Sequence, residues 1–305
     1  TPRAVIKAMV ESVNPKVGQT VYDGAVGSGG FFIQAYEYMK NEDLSTSDQK
    51  FLKRDTFFGN EKTPLGYVMG VMNMILHGID SPNVFKQNTL TSNIRDIQEK
   101  DRHDIILANP PFGGKEKSQV QQNFPVQSGA TEILFMQHFM KMLKLDGKAS
   151  IVVPEGVLFQ GNNAFKQVKK ELLDNFNVHT ILSLPAGVFL PYSGVKTNVI
   201  YFDRKGATSD IWYYELIPPY KLTKNKPIQY DHFNQFLELF KSRKETDNSW
   251  IVNVGDVKDY DISAKNPNVK QEEELLPPKE ILQAIRTNDK ELGNLINEIE
   301  GLLNE

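Results

Sequence analysis

A doubly wound α/β fold built on a mostly parallel sheet is what the sequence predicts, on three observations. Strand-like and helix-like patterns alternate between residues 20 and 184. The run Asp104-Ile105-Ile106-Leu107-Ala108 is continuously apolar, as a strand covered on both faces must be. Two motif-like segments, Asp23 to Phe31 and Asn109 to Phe112, each follow a strand directly, where doubly wound sheets bind ligands.

The elements follow in order. Thr20-Val21-Tyr22 is a short strand running into the glycine-rich turn, and Phe31, Phe32, Ala35, Tyr36 and Met39 then share one helical face. Phe57 to Asn60 is a second strand. Pro64 sits where a first-turn helix residue belongs, and Leu65, Val68, Met69, Met72 and Leu76 form that helix's expected buried face. After the strand at 104–108, Phe135, Phe139, Met142 and Leu143 mark another helix. Strands are expected at Lys148 to Val153, Val178 to Leu184, Thr197 to Phe202 and Ile211 to Tyr214. Residues 220–280 are polar and proline-broken. The terminus is helical again: Ile285, Leu292 and Ile299 recur every seven residues, with Asn288, Leu295 and Leu302 three residues after each. This seam predicts either a partner helix or packing on its own domain. The expected domains are 1–245, catalytic, and 246–305, a C-terminal extension.

Composition bounds the function. The 305 residues carry 35 Lys+Arg against 38 Asp+Glu, a net charge of −3, with 40% hydrophobic and 24% charged residues. That is ordinary for a globular chain and excludes a mostly disordered one. No apolar run approaches 18 residues, so no membrane span is expected. Zero Cys excludes disulfides and thiolate metal sites and fits a cytoplasmic protein. No metal site is expected, and none of the five His is given a role. A charge of −3 argues that any grip on nucleic acid is shared with a partner. The chain opens Thr1-Pro2-Arg3 without Met, which predicts a fragment or processed product.

The turn Asp23-Gly24-Ala25-Val26-Gly27-Ser28-Gly29-Gly30-Phe31 excludes three chemistries at named positions. Phe32 stands where a dinucleotide fingerprint needs Gly, no Gly-Lys-Ser/Thr phosphate loop is present, and Val26 spoils a nucleophile elbow on Ser28. In Asn109-Pro110-Pro111-Phe112, the two prolines hold the chain stiff after the strand. One Asn amide oxygen, one carbonyl and one aromatic plate suit a planar amino heterocycle taken out of a stack.

On these residues, the chain resembles the modification (methyltransferase) subunit of Type I restriction-modification systems, which methylates adenine N6 in DNA using S-adenosylmethionine. The resemblance also rests on Gly59-Asn60-Glu61, Asn88-Thr89-Leu90, Val153 to Phe159, Leu184 to Phe189, Gly194 to Asn198 and Asp261 to Asn268. It departs in the turn, where Gly24, Val26 and Ser28 replace the family's usual Pro, Cys and Thr. The resemblance implies a Rossmann-like sheet of the seven-stranded methyltransferase type with a C-terminal helical extension. It implies S-adenosylmethionine over the turn: Asp23 at its amino group, Gly27, Ser28, Gly29 and Gly30 as backbone donors, Thr1, Pro2 and Arg3 closing over its carboxylate, Glu61 at the ribose, and Asn88 and Thr89 at its adenine. Asn109 and the Pro110 carbonyl would hold the target amine, Pro111 would stiffen the loop, and Phe112 would stack on the flipped base in double-stranded DNA. Residues 113–130, with Lys115 and Lys117, read as a mobile loop closing on DNA or as a plain solvated loop. The implied partners are a specificity subunit, a restriction subunit and a second modification subunit. A competing reading, a catalytically weakened scaffold of such a complex, rests only on the altered turn. A third, methylation of RNA, protein glutamine or a small molecule, shares the tetrapeptide.

Overall fold

The computed structural model describes residues 1–40, 43–268 and 278–303. In chain order the elements are α1 (Arg3–Val13), β1 (Val21–Asp23), α2 (Gly30–Met39), α3 (Thr46–Arg54), β2 (Phe57–Glu61), α4 (Pro64–Leu76), β3 (Asn83–Lys86), β4 (His103–Ala108), α5 (Ser118–Gln121), α6 (Thr131–Met142), β5 (Leu143–Pro154), α7 (Gly156–Phe159), α8 (Asn163–Asn175), β6 (Asn177–Ser183), β7 (Thr197–Asp203), β8 (Asp210–Glu215), α9 (Asn234–Leu239), β9 (Ser249–Asn253) and α10 (Pro278–Leu303).

The strands form one nine-stranded sheet in the order β3-β2-β1-β4-β5-β7-β6-β8-β9. Its first five strands are parallel, β7 runs antiparallel between β5 and β6, and β8 and β9 extend the far edge. The first seven strands are the expected seven-stranded type. Two cores lie on the two faces, and strand alternation assigns residues to them. Val21, Ile105 and Leu107 join the face covered by α1, α2 and α9, while Tyr22, Ile106 and Ala108 join the face under α6 and α8.

Three expectations change. First, α4 forms where Pro64 and the Thr63 cap place it, but its large apolar residues face outward: Leu65 is 72% exposed and Leu76 80%. Val68, Met69 and Met72 are exposed as well, and the buried residues are Gly70 and Met74. Backbone proximity is the reason. A Cβ on Gly70 would lie 2.4 Å from the Gly27 carbonyl oxygen, so the helix docks through its small residues. Second, the compact sheet unit runs from Thr1 to Pro267, beyond the expected boundary at 245, because β9 pairs with β8 and Ile262 is buried in the core. Third, Leu143 opens β5 rather than extending α6.

Residues 268–305 form a second unit. Within it α10 is helical as expected, and Ile285, Leu292 and Ile299 are exposed, together with Leu282 and Ile296. Asn288 is exposed too, while the side chains of Leu295 and Leu302 lie outside the described residues. Among the described residues, no helix is long and apolar enough to cross a membrane.

Candidate functional site

Asp23 ends β1 and opens the glycine turn. It is buried, and its Oδ1 accepts the Ala25 N–H at 2.8 Å. Loss of water around the carboxylate, helped by nearby Glu61, pushes its pKa up to about 7. The turn is held by its own hydrogen bonds. Gly27 and Gly29 adopt φ of +55° and +77°, conformations that glycine enters freely. The Gly27 N–H donates to Glu61 Oε2 at 2.9 Å and the Gly29 N–H to the Val26 carbonyl at 2.9 Å. Those two donors are therefore already engaged, one by Glu61 and one within the turn, leaving Ser28 and Gly30 of the four expected backbone donors. Gly24 is closely packed: a Cβ there would meet Phe139 at 3.1 Å and Thr89 at 3.2 Å.

Glu61 ends β2 next to the turn, and its second oxygen accepts from the Thr63 N–H at 2.8 Å and hydroxyl at 2.6 Å. Asn88 and Thr89 follow β3. Asn88 Oδ1 accepts the Leu90 N–H at 3.2 Å, and Thr89 is buried with its hydroxyl donated to the Gly24 carbonyl. At the other side of β1, Asn109 leaves β4 and donates its amide to the Thr1 hydroxyl oxygen at 2.7 Å. Its Oδ1 is buried with no hydrogen-bond partner. Pro2 caps α1, and Arg3 is its exposed first residue. Buried Pro110 and exposed Pro111 carry the chain to Phe112, which is half-buried and meets Phe189 edge-on, with centroids 6.0 Å apart.

Two cavities meet at this loop. One of about 550 Å³ is lined by Gly24, Ala25, Glu61, Asn88, Thr89, Asn109 and Pro111. The other, of about 800 Å³, is lined by Phe112, Glu132, Pro154, Gln160, Phe165 and Tyr192. Gly114 and Lys115 line both. Of the expected site residues, Glu61, Asn88, Thr89, Asn109 and Pro111 line the first cavity and Phe112 the second, whereas Asp23, Gly27, Ser28, Gly29, Gly30, Pro110 and the opening segment line neither.

Residues 113–130 are stitched to the body rather than left as a plain solvated loop. Phe124 is fully buried, Gln137 clamps the Val126 N–H and carbonyl at 2.9 Å each, and the Glu116 N–H donates to the Gly129 carbonyl at 3.0 Å. This folds Glu116 onto the first cavity, where it meets Lys62 at 3.2 Å and the Asn88 amide at 3.5 Å. Sequence reasoning missed Glu116 and Lys62, as well as Glu132, Gln160 and Tyr192 in the second cavity.

A sheet of this order, with its glycine turn and its Asn-Pro-Pro-Phe loop at the same edge, defines a Rossmann-like fold of the S-adenosylmethionine-dependent methyltransferase class. The N-6 DNA Methylase family profile matches residues 1–276, and the chain belongs to that family. It is 34% identical over 320 residues to the Type I restriction enzyme EcoEI methylase subunit of Escherichia coli, an alignment covering 99% of this chain and 64% of that one. Among solved structures it resembles a chain of a type I R-M system studied for complex assembly and conformational transition, at TM-score 0.85 and 44% identity, covering 99% of this chain and 66% of that one. It also resembles the Type I restriction enzyme EcoKI M protein, at TM-score 0.71 and 31% identity, covering 78% of this chain and 53% of that one. The chain therefore spans about two thirds or less of the length of these relatives.

Proposed function

We propose that this chain is the catalytic part of a DNA modification subunit that methylates adenine N6 in double-stranded DNA from S-adenosylmethionine. The carrying observation is the buried, unpartnered Asn109 Oδ1 at the loop where the two cavities meet. A buried acceptor without a donor costs about 1–3 kcal/mol, so its retention points to a donor supplied by a ligand. An exocyclic amine is such a donor.

The residues around the first cavity fit the cofactor. Asp23 offers a desolvated carboxylate to its ammonium group, Glu61 keeps one acceptor site, on Oε2, for a ribose hydroxyl, and Ser28 and Gly30 offer backbone N–H groups at the helix start. Thr1 meets the Asn109 side chain, and Arg3, exposed two residues on, is the cation proposed for the cofactor's carboxylate. When bound, S-adenosylmethionine supplies an electrophilic sulfonium methyl group. Asn109 Oδ1 and the Pro110 carbonyl accept the two protons of the target amine, which aims its lone pair at that methyl and stabilises positive charge developing on nitrogen. Phe112, braced by Phe189, offers a ring for the extruded base. The exposed apolar residues of α10 are the proposed contact for a specificity subunit, in a complex with a restriction subunit and a second modification subunit.

The test is Asn109→Ala, assayed by tritiated methyl transfer to hemimethylated target DNA in the assembled complex. Transfer should fall at least 100-fold, because the lost bond acts mainly in the chemical step. Cofactor affinity by calorimetry should stay within about threefold. Near-normal turnover would refute the role given to Asn109, and a native complex that transfers no methyl group would favour the scaffold reading.

A further inference from the structure

Glu116 lies outside every residue assigned so far, yet its position is specific. Its side chain is 11% exposed, whereas its ion-pair partner Lys62 is 63% exposed, so the carboxylate turns inward and the cation stays at the rim. Lys62 Nζ and Asn88 Nδ2 both donate to the same oxygen, Oε1. No described residue donates to Oε2. The cavity wall thus holds a carboxylate oxygen in want of a donor, beside an Asn88 amide group whose own oxygen already accepts the Leu90 N–H.

An acceptor next to an N–H donor is complementary to one edge of one purine. Adenine presents a 6-amino donor beside an N1 acceptor. A 6-oxopurine presents the reverse, an acceptor beside an N1–H donor, and would set its O6 against the carboxylate. We propose that Glu116 and Asn88 together read this edge of the cofactor's adenine, with Glu116 accepting from the 6-amino group and Asn88 donating to N1. Lys62 is the positioning residue that holds the carboxylate over the cavity. This inference rests on the cofactor reading given above, and it makes the 113–130 segment part of the cofactor site.

The experiment compares equilibrium binding of S-adenosylhomocysteine and its 6-oxo counterpart, S-inosylhomocysteine, to the full chain and to Glu116→Ala and Glu116→Gln. The native protein should prefer the adenosyl ligand by about 100-fold or more, the discrimination expected of a site that hydrogen-bonds the distinguishing group. Glu116→Ala should lower that preference at least tenfold, with the inosyl ligand bound as well as before or better. Glu116→Gln keeps an acceptor oxygen and should preserve most of the preference. An unchanged ratio in Glu116→Ala, or an equal loss for both ligands as a purely structural role would give, overturns the assignment. Failure of the native protein to bind S-adenosylhomocysteine would instead defeat the cofactor reading on which it rests.

Discussion

Replacing Asp23 with Asn should abolish a pH dependence that the native site builds in. The Asp23 carboxylate is buried and titrates near 7, against an ordinary 3.8, chiefly because burial strips its water and secondarily because Glu61 is close. Only its ionised form pairs with a cationic amine. Below pH 7, therefore, ligand binding must first release a proton, and affinity should rise about tenfold per pH unit until it levels above 7. Between pH 5.5 and 7.5 the gain is about 25-fold, with about 0.8 proton released per ligand at pH 6.5. The same shift acts on the free fold with the sign of a raised acid. Its stability falls as pH climbs from about 4 to about 7, by roughly 4 kcal/mol at most, and is flat above. Calorimetry with S-adenosylmethionine in buffers of different ionisation enthalpy measures both affinity and protons. The Asn variant should bind more weakly at pH 7.5, by about 1–3 kcal/mol, and show no slope. A flat native profile, or an Asn variant that keeps the slope, would refute the placement of the amine at Asp23.

Gly70→Ala should destabilise the protein by about 1–3 kcal/mol in urea unfolding, since the added Cβ meets the Gly27 carbonyl at 2.4 Å; Gly293→Ala, with nothing within 4 Å, should stabilise α10 by up to about 1 kcal/mol. Phe124→Ala removes a fully buried ring, so unfolding should cost about 3–5 kcal/mol less, and trypsin should cut sooner at Lys115 and Lys117. A chain ended after Pro267 should keep the native thermal midpoint of the sheet unit and its cofactor affinity, while losing co-purification with a specificity subunit. Co-purification at undiminished yield would remove α10 from that interface.

The parts of this fold legible in the sequence are those where burial writes a periodic pattern. The strand Ile105 to Ala108 and the helix face Phe31 to Met39 are buried as their spacing says. The helix after Pro64 shows where periodicity misleads: Leu65, Val68 and Met72 have the spacing of a core face, but the sheet side belongs to Gly70, which carries no apolar signal. β3 escaped notice because only Val84 of its four residues is buried, and β9 because its residues alternate weakly at the sheet's edge. In the site, residues fixed by strand ends were legible: Asp23, Glu61 and Asn109 each stand at or just after one. Glu116 was not, because its position depends on Phe124 and Gln137 folding a polar segment back, which no local pattern announces.

The antiparallel β7 has one more consequence. β6 ends at the edge where both cavities open, and because β7 runs back antiparallel beside it, residues 184–196 form a hairpin loop at that edge carrying Phe189 and Tyr192. Of the two cavities, that loop borders the one of Phe112, on the opposite side of β4 from β1, β2 and β3. Lengthening or shortening it would reshape what the second cavity accepts without disturbing the glycine turn.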